Sequence, residues 1–565
     1  MNKKILKLHL SKIFIIISLI LLGLFFRTFQ THQSSLWTDE FATNWVASAP
    51  SVNEVIHRAA LTQGQSPFYF VLLHFILKEL WGSEFSLRFL SLLASLISIY
   101  IIFEIGLLFF NRDCLCFSCS RFLKNSITSG DSRLSSKALI PSIFVSLIFI
   151  VDPLRIYYAQ EARPYALATM FALLSVYFFF KMFGNRSVLN VIFYILTSAL
   201  VCYSHYVFGT VLLLENLWFF LLVIISLFNN NDIDYKKKKV RILLRWIFIQ
   251  LGIIVFLIPL LFHMVPIIKN SSKWTWLSSG GFFDVFSVLF KMFDTRTLII
   301  FSAIYVLLFL YDFASKFQKI KINTAIFKSF FPFIFLVLWF LLPPLFAYFV
   351  GKFLHTSMLD IRYMTLSGIA FYFFAGLCLS FIDNKFVKIF LISFIISAYI
   401  GITLFPLYQK HHRFSNRICH DWRGALEMIN FAIQPGDCII IRSGFVKENW
   451  VATSNNTTIV DYVQAPLKSF YFRPRFFPEG VLINDASEFF DVYNMTYTRE
   501  YEFYPYYDKI LAGSAAHERI WVIGVNPPNT NYKISQVPDL LRDSHKKILE
   551  KNFSGVYLAL IKRRR

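Results

Sequence analysis

The chain has 565 residues, of which 56% are hydrophobic and 16% charged, with a formal net charge of +22. Soluble domains sit near 45–50% apolar and about 25% charged, so composition and a mean hydropathy of +0.55 exclude an ordinary soluble protein and imply an integral membrane one. The positive charge lies in short loops between apolar runs, as the positive-inside rule expects, which argues against a nucleic-acid partner.

A membrane-crossing helix needs about 20 apolar residues. Read on that basis, spans fall at 13–29, 86–110, 138–152, 165–183, 189–209, 210–228, 241–263, 297–315, 328–350, 365–382 and 389–406. The first run has a basic flank (Lys3, Lys4, Lys7, Lys12) and no small-residue cleavage site, so it reads as a retained helix. Alternating the spans puts the N-terminus and the basic loops at Arg112 to Lys137, Lys181 to Arg186, Lys236 to Arg245, Lys316 to Lys328 and Lys385 to Lys388 on one side, the cytoplasm. The mixed polar segments then face the other side. The spans read as apolar at mid-depth and no internal repeat is visible, which disfavours a transporter or flippase.

The first outer segment is built from local signals. Ser51-Val-Asn-Glu54 is a capping box opening a helix through Leu61, closed by Gly64, and Ser66-Pro67 opens a second helix through Leu77. That second run is too short to span and is placed at the outer interface. Glu84 and Arg88, four apart, are expected to pair.

Beyond Phe405 the chain turns polar. Asp421 to Ala432 reads as an amphipathic helix, Pro435-Gly-Asp437 as a turn, and Cys438 to Ile441 as a buried strand. Arg519 to Gly524 and Gly555 to Ile561 read as further strands. The expected fold class is therefore an α-helical polytopic membrane domain (1–406), with about 11 transmembrane helices plus interfacial helices in the first outer loop, followed by a C-terminal extracytoplasmic α/β domain (407–565). Of the seven cysteines, Cys114, Cys116 and Cys119 read as reduced loop thiols, and a Cys419–Cys438 pairing is left open.

Four polar clusters map to the outer face: Asp39-Glu40, Arg155 to Tyr165 with Gln160, Glu161 and Arg163, Tyr203 to Tyr206 with His205, and Asp360 to Tyr363 with Arg362. Each has a bland explanation, since boundary Arg, Tyr and His residues anchor helices and loop acids are often merely solvated. An acid near the bilayer, such as Glu161, nonetheless needs a partner or a ligand. A base such as Asp39 with cationic groups (Arg163, Arg362, His205) suits deprotonation of an acceptor hydroxyl while a lipid-borne phosphate departs. Phosphate leaves as a stabilised anion, so no general acid is required.

Leu36-Trp-Thr-Asp-Glu-Phe-Ala-Thr43, Ser66 to His74, Ser83 to Phe89, Tyr157-Tyr-Ala-Gln-Glu-Ala-Arg-Pro-Tyr-Ala-Leu167, Ser204-His-Tyr206, Arg362-Tyr363 and Asp421 to Ala425 occur in an order that resembles the C-type (GT-C) superfamily of polytopic membrane glycosyltransferases. The branch they resemble most is the bacterial relatives of protein O-mannosyltransferases and of lipid A aminoarabinose transferase. The resemblance implies inverting transfer from a polyprenyl-phosphate sugar to a lipid, protein or glycan acceptor, at the outer face of the inner (plasma) membrane and among membrane lipids. It implies Asp39 as base, with Glu40 beside it and Glu161 as the acid of the second outer loop. Gln160, Arg163, Tyr165, His205, Arg362 and Tyr363 fall where substrate contacts are expected. No cofactor is required by the resemblance; a divalent metal ion stays open, because metal dependence varies across the superfamily. Where the family often has His-Pro-Pro, this chain has Gln65-Ser66-Pro67. A glycan polymerase or ligase of similar architecture is the alternative enzyme.

Overall fold

The computed structural model describes residues 3–29, 31, 35–80, 82–110, 136–184, 187–228, 233–269, 281–292, 325–353, 358–382, 384–410, 420–445, 457–475, 491–494, 504–526 and 533–564. Cys114, Cys116, Cys119 and Cys419, the span expected at 297–315 and the basic stretches 112–135 and 316–324 lie outside the described residues. By backbone contacts the chain divides into two units. One comprises Met1–Phe29, Ser91–Gln160 and Pro164–Gln409; the other comprises Gln30–Leu90, Glu161–Arg163 and Lys410–Arg565.

The first unit is helical. The other ten expected spans fall on helices: Lys3–Thr28, Glu84–Phe109, Ser136–Val151, Tyr165–Gly184, Val188–Ser204, Thr210–Phe228, Ile233–Lys269, Ala325–Phe353, Thr365–Phe381 and Lys385–Lys410. Six helices among the described residues are long and apolar enough to cross a membrane, while Val188–Ser204 and Thr365–Ser380 are shorter apolar helices. The span read at 138–152 ends in a 62° break before a short helix, Pro153–Ala159. The cause is local: Pro153 cannot continue the ladder, and Asp152 accepts a hydrogen bond from Arg155 N at 3.0 Å as the cap of a new helix.

Small residues let these helices approach closely. A Cβ on Gly376 would lie 2.6 Å from both Phe110 and Val145, and one on Gly106 2.8 Å from Ser142 Oγ. Glu104 and Glu215 lie inside spans, each five positions from a helix end, Phe109 and Thr210 respectively. Glu104 pairs with Lys12 at 2.6 Å. Glu215 is fully buried in its span and accepts hydrogen bonds from Ser175 Oγ at 2.9 Å and Tyr194 OH at 2.9 Å. A buried carboxyl persists in a span where donors converge on it, and here two neighbouring helices supply them.

In the second unit, Ser51 Oγ accepts from Glu54 N at 3.3 Å and opens the helix Val52–Thr62, with Gly64 beyond its end in the left-handed region at φ 59°. The Glu54 carboxylate is held by Arg58 at 2.8 Å. The next helix, Phe68–Glu79, buries Tyr69, Phe70 and Leu73. Asp421 caps Trp422–Ala432 by accepting from Gly424 N. A five-stranded sheet follows in the order β2-β1-β3-β5-β4, with β1 Cys438–Arg442, β2 Asp491–Asn494, β3 Arg519–Val525, β4 His545–Phe553 and β5 Val556–Arg563. β1 lies parallel to β2 and β3, whereas β5 is antiparallel to both β3 and β4. Every residue of β1 is buried, as the apolar run Cys438 to Ile441 requires of a strand covered on both faces, and Arg442 at its end is buried too. One face packs Cys438, Ile440, Ile520, Val522, Ala559 and Ile561 into a core, so this is an α/β domain as the sequence implies. β4 escapes a sequence reading because it is the exposed edge strand, rich in lysine.

Candidate active site

Asp39 and Glu40 lie in the first turn of the helix Thr38–Ala47, where the positive end of the helix dipole favours acids. Their environments differ sharply. Asp39 is partly buried, and its carbonyl accepts from the Thr43 hydroxyl at 3.0 Å. Glu40 is fully buried. Its two oxygens receive Arg88 Nε and Nη2, each at 2.8 Å, in a fork-to-fork pair. Ala162 N adds a third donor at 3.0 Å and Trp37 N a fourth at 3.4 Å. A carboxylate so occupied fixes geometry; it is poorly placed to take a proton. Arg88 also donates to Thr31 O at 3.0 Å and Ser35 O at 3.3 Å, tying down the approach to the helix.

The expected Glu84–Arg88 contact is present at 3.7 Å but is the lesser one. The main partner of Arg88 is 48 residues away in sequence, beyond the reach of a spacing rule.

Glu161-Ala162-Arg163 belongs to the same unit. Ala162 N meets Glu40, while Arg163 Nη1 donates to Gln63 Oε1 at 2.8 Å and lies 3.4 Å from Thr43 Oγ1, one helical turn after Asp39. Glu161 and Arg163 are both buried. Two segments more than a hundred residues apart in sequence therefore converge on one helix. Gln63 and Thr43 were not singled out from sequence; neither carries a distinguishing pattern.

The other candidate residues form a second cluster, within the helical unit. His205 ends the helix Val188–Ser204, and its ring lies 5.5 Å from Tyr165, 5.1 Å from Tyr363 and 5.3 Å from Phe208. Arg362 Nε pairs with Asp360 at 3.1 Å, and its Nη1 lies 3.4 Å from the Tyr165 hydroxyl. Three sequence-remote positions are thus brought together. Gln160 is placed differently: its amide donates to Arg27 O and Phe29 O, each at 3.1 Å, capping the end of the first helix.

Two further buried groups make long-range ties: Arg27, which sequence did not single out, and Arg155, which it placed in the second outer cluster. Arg27 donates to Ser95 Oγ at 2.6 Å and to the carbonyls of Phe149 and Ile150 at 3.2 and 3.4 Å. Arg155 binds Tyr372 OH at 3.2 Å and Thr365 O at 2.9 Å, and Tyr372 donates to Asp152 at 2.7 Å. Among the described residues, no group of three or more His, Cys, Asp or Glu side chains is arranged to hold a metal ion.

The architecture was compared with solved structures. The crystal structure of ArnT from Cupriavidus metallidurans in the apo state superposes with a TM-score of 0.50, covering 98% of each chain at 10% sequence identity. The chain has an ArnT-like fold. The match bears out the expected fold, a polytopic helical membrane part followed by a C-terminal α/β domain. No family model matches the chain, and no curated protein matches it in sequence.

Proposed function

We propose that the protein is a membrane glycosyltransferase that moves a monosaccharide from a polyprenyl-phosphate donor to an acceptor hydroxyl at the outer face of the membrane, with inversion. The observation that carries this reading is the junction of the first outer loop with Glu161–Arg163 around Glu40. It sets Asp39 on a fixed helix, with Arg163 at Thr43 one turn on. The ArnT-like fold supports the same class.

In this reading Asp39 accepts the proton of the attacking hydroxyl, and Arg163 contributes positive charge for the departing lipid phosphate. Glu40 holds the helix rather than reacting, and Glu161 orients the acceptor side of the same cluster. Within the helical unit, Arg362 with Tyr165, His205 and Tyr363 around it forms its own cationic and aromatic cluster, suited to a sugar or a phosphate. Gln160 fixes the segment that carries these residues. The N-terminus is placed in the cytoplasm and the C-terminal α/β domain outside, where it would select the acceptor.

The test uses membranes carrying wild-type protein or Asp39→Asn and a panel of labelled polyprenyl-phosphate hexoses and pentoses. Transfer from one donor that falls by three orders of magnitude or more in Asp39→Asn, on the order expected for losing a general base and its charge, supports the assignment. Transfer retained by a well-folded Asp39→Asn protein removes Asp39 from the mechanism. No transfer by wild type from any donor refutes the donor class.

A further inference from the structure

The helix that carries Asp39 is built on the C-terminal segment of the chain. Phe41 packs edge-on against Trp422 at 5.8 Å and Tyr471 at 5.9 Å. One turn later Trp45 donates its indole N–H to Asp461 at 3.1 Å and meets the Tyr462 ring at 5.3 Å. The extended residues before the helix are stitched to the same segment. Ser35 Oγ donates to His420 O at 2.7 Å, and Leu36 N donates to the Tyr471 hydroxyl at 2.9 Å. Gly444, after β1, has φ +84°, and a Cβ there would come within 4.0 Å of Thr38 Oγ1. All of these residues belong to the second unit.

A line of alternating charge joins the same elements. Arg423 Nε donates to Glu84 Oε1 at 2.9 Å, with its Nη2 on the same oxygen. The Tyr471 hydroxyl donates to that carboxylate too. Glu84 faces Arg88, and Arg88 grips Glu40, the residue next to Asp39. Burial and the adjacent Glu84 carboxylate push the Tyr471 phenol well above its ordinary pKa, so it remains a donor throughout the biological range. The sequence Arg423, Glu84, Arg88, Glu40 is thus a polar strut from the Trp422–Ala432 helix to the first turn of the Asp39 helix. Tyr471 is its cross-tie to the backbone at Leu36.

We propose that Arg423 and Tyr471 are positioning residues for Asp39: the C-terminal domain completes the reaction centre by fixing the Asp39 helix, and is more than an appended acceptor-binding module. The catalytic consequence rests on the transferase reading above; the mechanical one does not. A strut of this kind restrains where the Asp39 carboxylate points without touching substrate. Its loss should therefore lower turnover more than donor binding, because misplacing a reacting group by about 1 Å can cost up to roughly a hundredfold in rate.

The experiment compares full-length wild type with Tyr471→Phe, Arg423→Gln and Arg423→Lys in lipid nanodiscs. Two readouts are taken: amide hydrogen exchange over residues 35–47, and kcat and KM for the donor that wild type uses. Tyr471→Phe keeps the ring that packs on Phe41 and deletes only the hydroxyl. The expected result is exchange at Leu36 and the first helical turn faster by roughly tenfold or more, with exchange in β1 and β3 unchanged. Turnover should fall by roughly tenfold or more while the donor KM stays within about twofold. Arg423→Lys should recover part of what Arg423→Gln loses. Unchanged exchange over 35–47 in both Tyr471→Phe and Arg423→Gln overturns the proposal. So does a turnover loss that matches only the loss of folded protein. If wild type transfers no sugar, the transferase reading fails by itself, and the exchange arm still decides whether the C-terminal segment positions this helix.

Discussion

Replacing Arg88 by Met tests the junction on which the site rests. Met keeps an unbranched apolar stem among the surrounding helices and removes the guanidinium. The Glu40 side chain is 0% exposed and that of Arg88 3%, so the carboxylate left behind has no access to water without local opening. Removing one partner of a buried pair costs about 3–5 kcal/mol, a large part of the roughly 5–15 kcal/mol that typically holds a domain folded. Adding Glu40→Gln to Arg88→Met removes the stranded charge and leaves one acceptor oxygen, enough for Ala162 N, the closer of the two backbone donors, but not also for Trp37 N on the other oxygen. The double variant should therefore recover about 2 kcal/mol or more of the single variant's loss, a coupling expected only between groups in direct contact.

Denaturant unfolding of purified protein in detergent micelles, at neutral pH, gives both differences. Acidification supplies an internal control. Once Arg88 is gone, protonating Glu40 removes the buried charge, so the deficit of Arg88→Met should shrink as pH falls, by at most about 1.4 kcal/mol per pH unit. The reasoning is refuted if Arg88→Met lies within about 0.5 kcal/mol of wild type, or if the double variant is no more stable than the single one.

Other outcomes follow from the same geometry. Arg27→Met strands the carbonyls of Phe149 and Ile150 that the guanidinium now satisfies and should cost about 2–4 kcal/mol in the same unfolding assay. His420 is held neutral because burial lowers its pKa below the usual 6.5. Its unfolded form takes up a proton first, so the stability it contributes is present above about pH 6.5 and is lost as pH falls below that. Exchange over residues 420–432 should accelerate across that window in wild type and much less in His420→Gln. Glu215→Gln keeps an acceptor for Ser175 and Tyr194 and should leave folding and sugar transfer within about threefold of wild type, measured in the donor assay.

Most of the fold was legible because membrane spans announce themselves by length and apolar content alone. The capped loop helices and the buried strand β1 were legible for a similar reason: Ser51, Asp421 and the run Cys438 to Ile441 are local signals. What was hidden is long-range pairing. Glu40 reads as a second catalytic acid beside Asp39 until Arg88 and Ala162 N are seen to occupy it. Gln160 reads as a substrate contact until its amide is found capping Arg27 and Phe29. Each is a polar residue in a promising motif whose hydrogen-bonding capacity is spent on a partner that no spacing rule can name.

The same reasoning weighs the transporter reading, which the sequence disfavoured partly because the spans looked apolar. Glu215, five positions inside the helix Thr210–Phe228, puts a carboxyl within a span, and the break at Asp152-Pro153 adds a discontinuous helix, both features met in transporters. Both are nevertheless satisfied locally. Ser175 and Tyr194 supply donors to the two Glu215 oxygens from the helices Tyr165–Gly184 and Val188–Ser204, so the carboxyl works as a tie between three helices. At the break, Asp152 accepts from Arg155 N and Tyr372 OH, and Arg155 takes up Thr365 O. A polar residue that carries an ion or proton through a membrane must exchange partners with its cargo, whereas these groups are held by fixed side chains and backbone. The chemistry is proposed instead at Asp39, on the helix that the Glu40–Arg88 pair holds, with Arg163 at Thr43 one turn on.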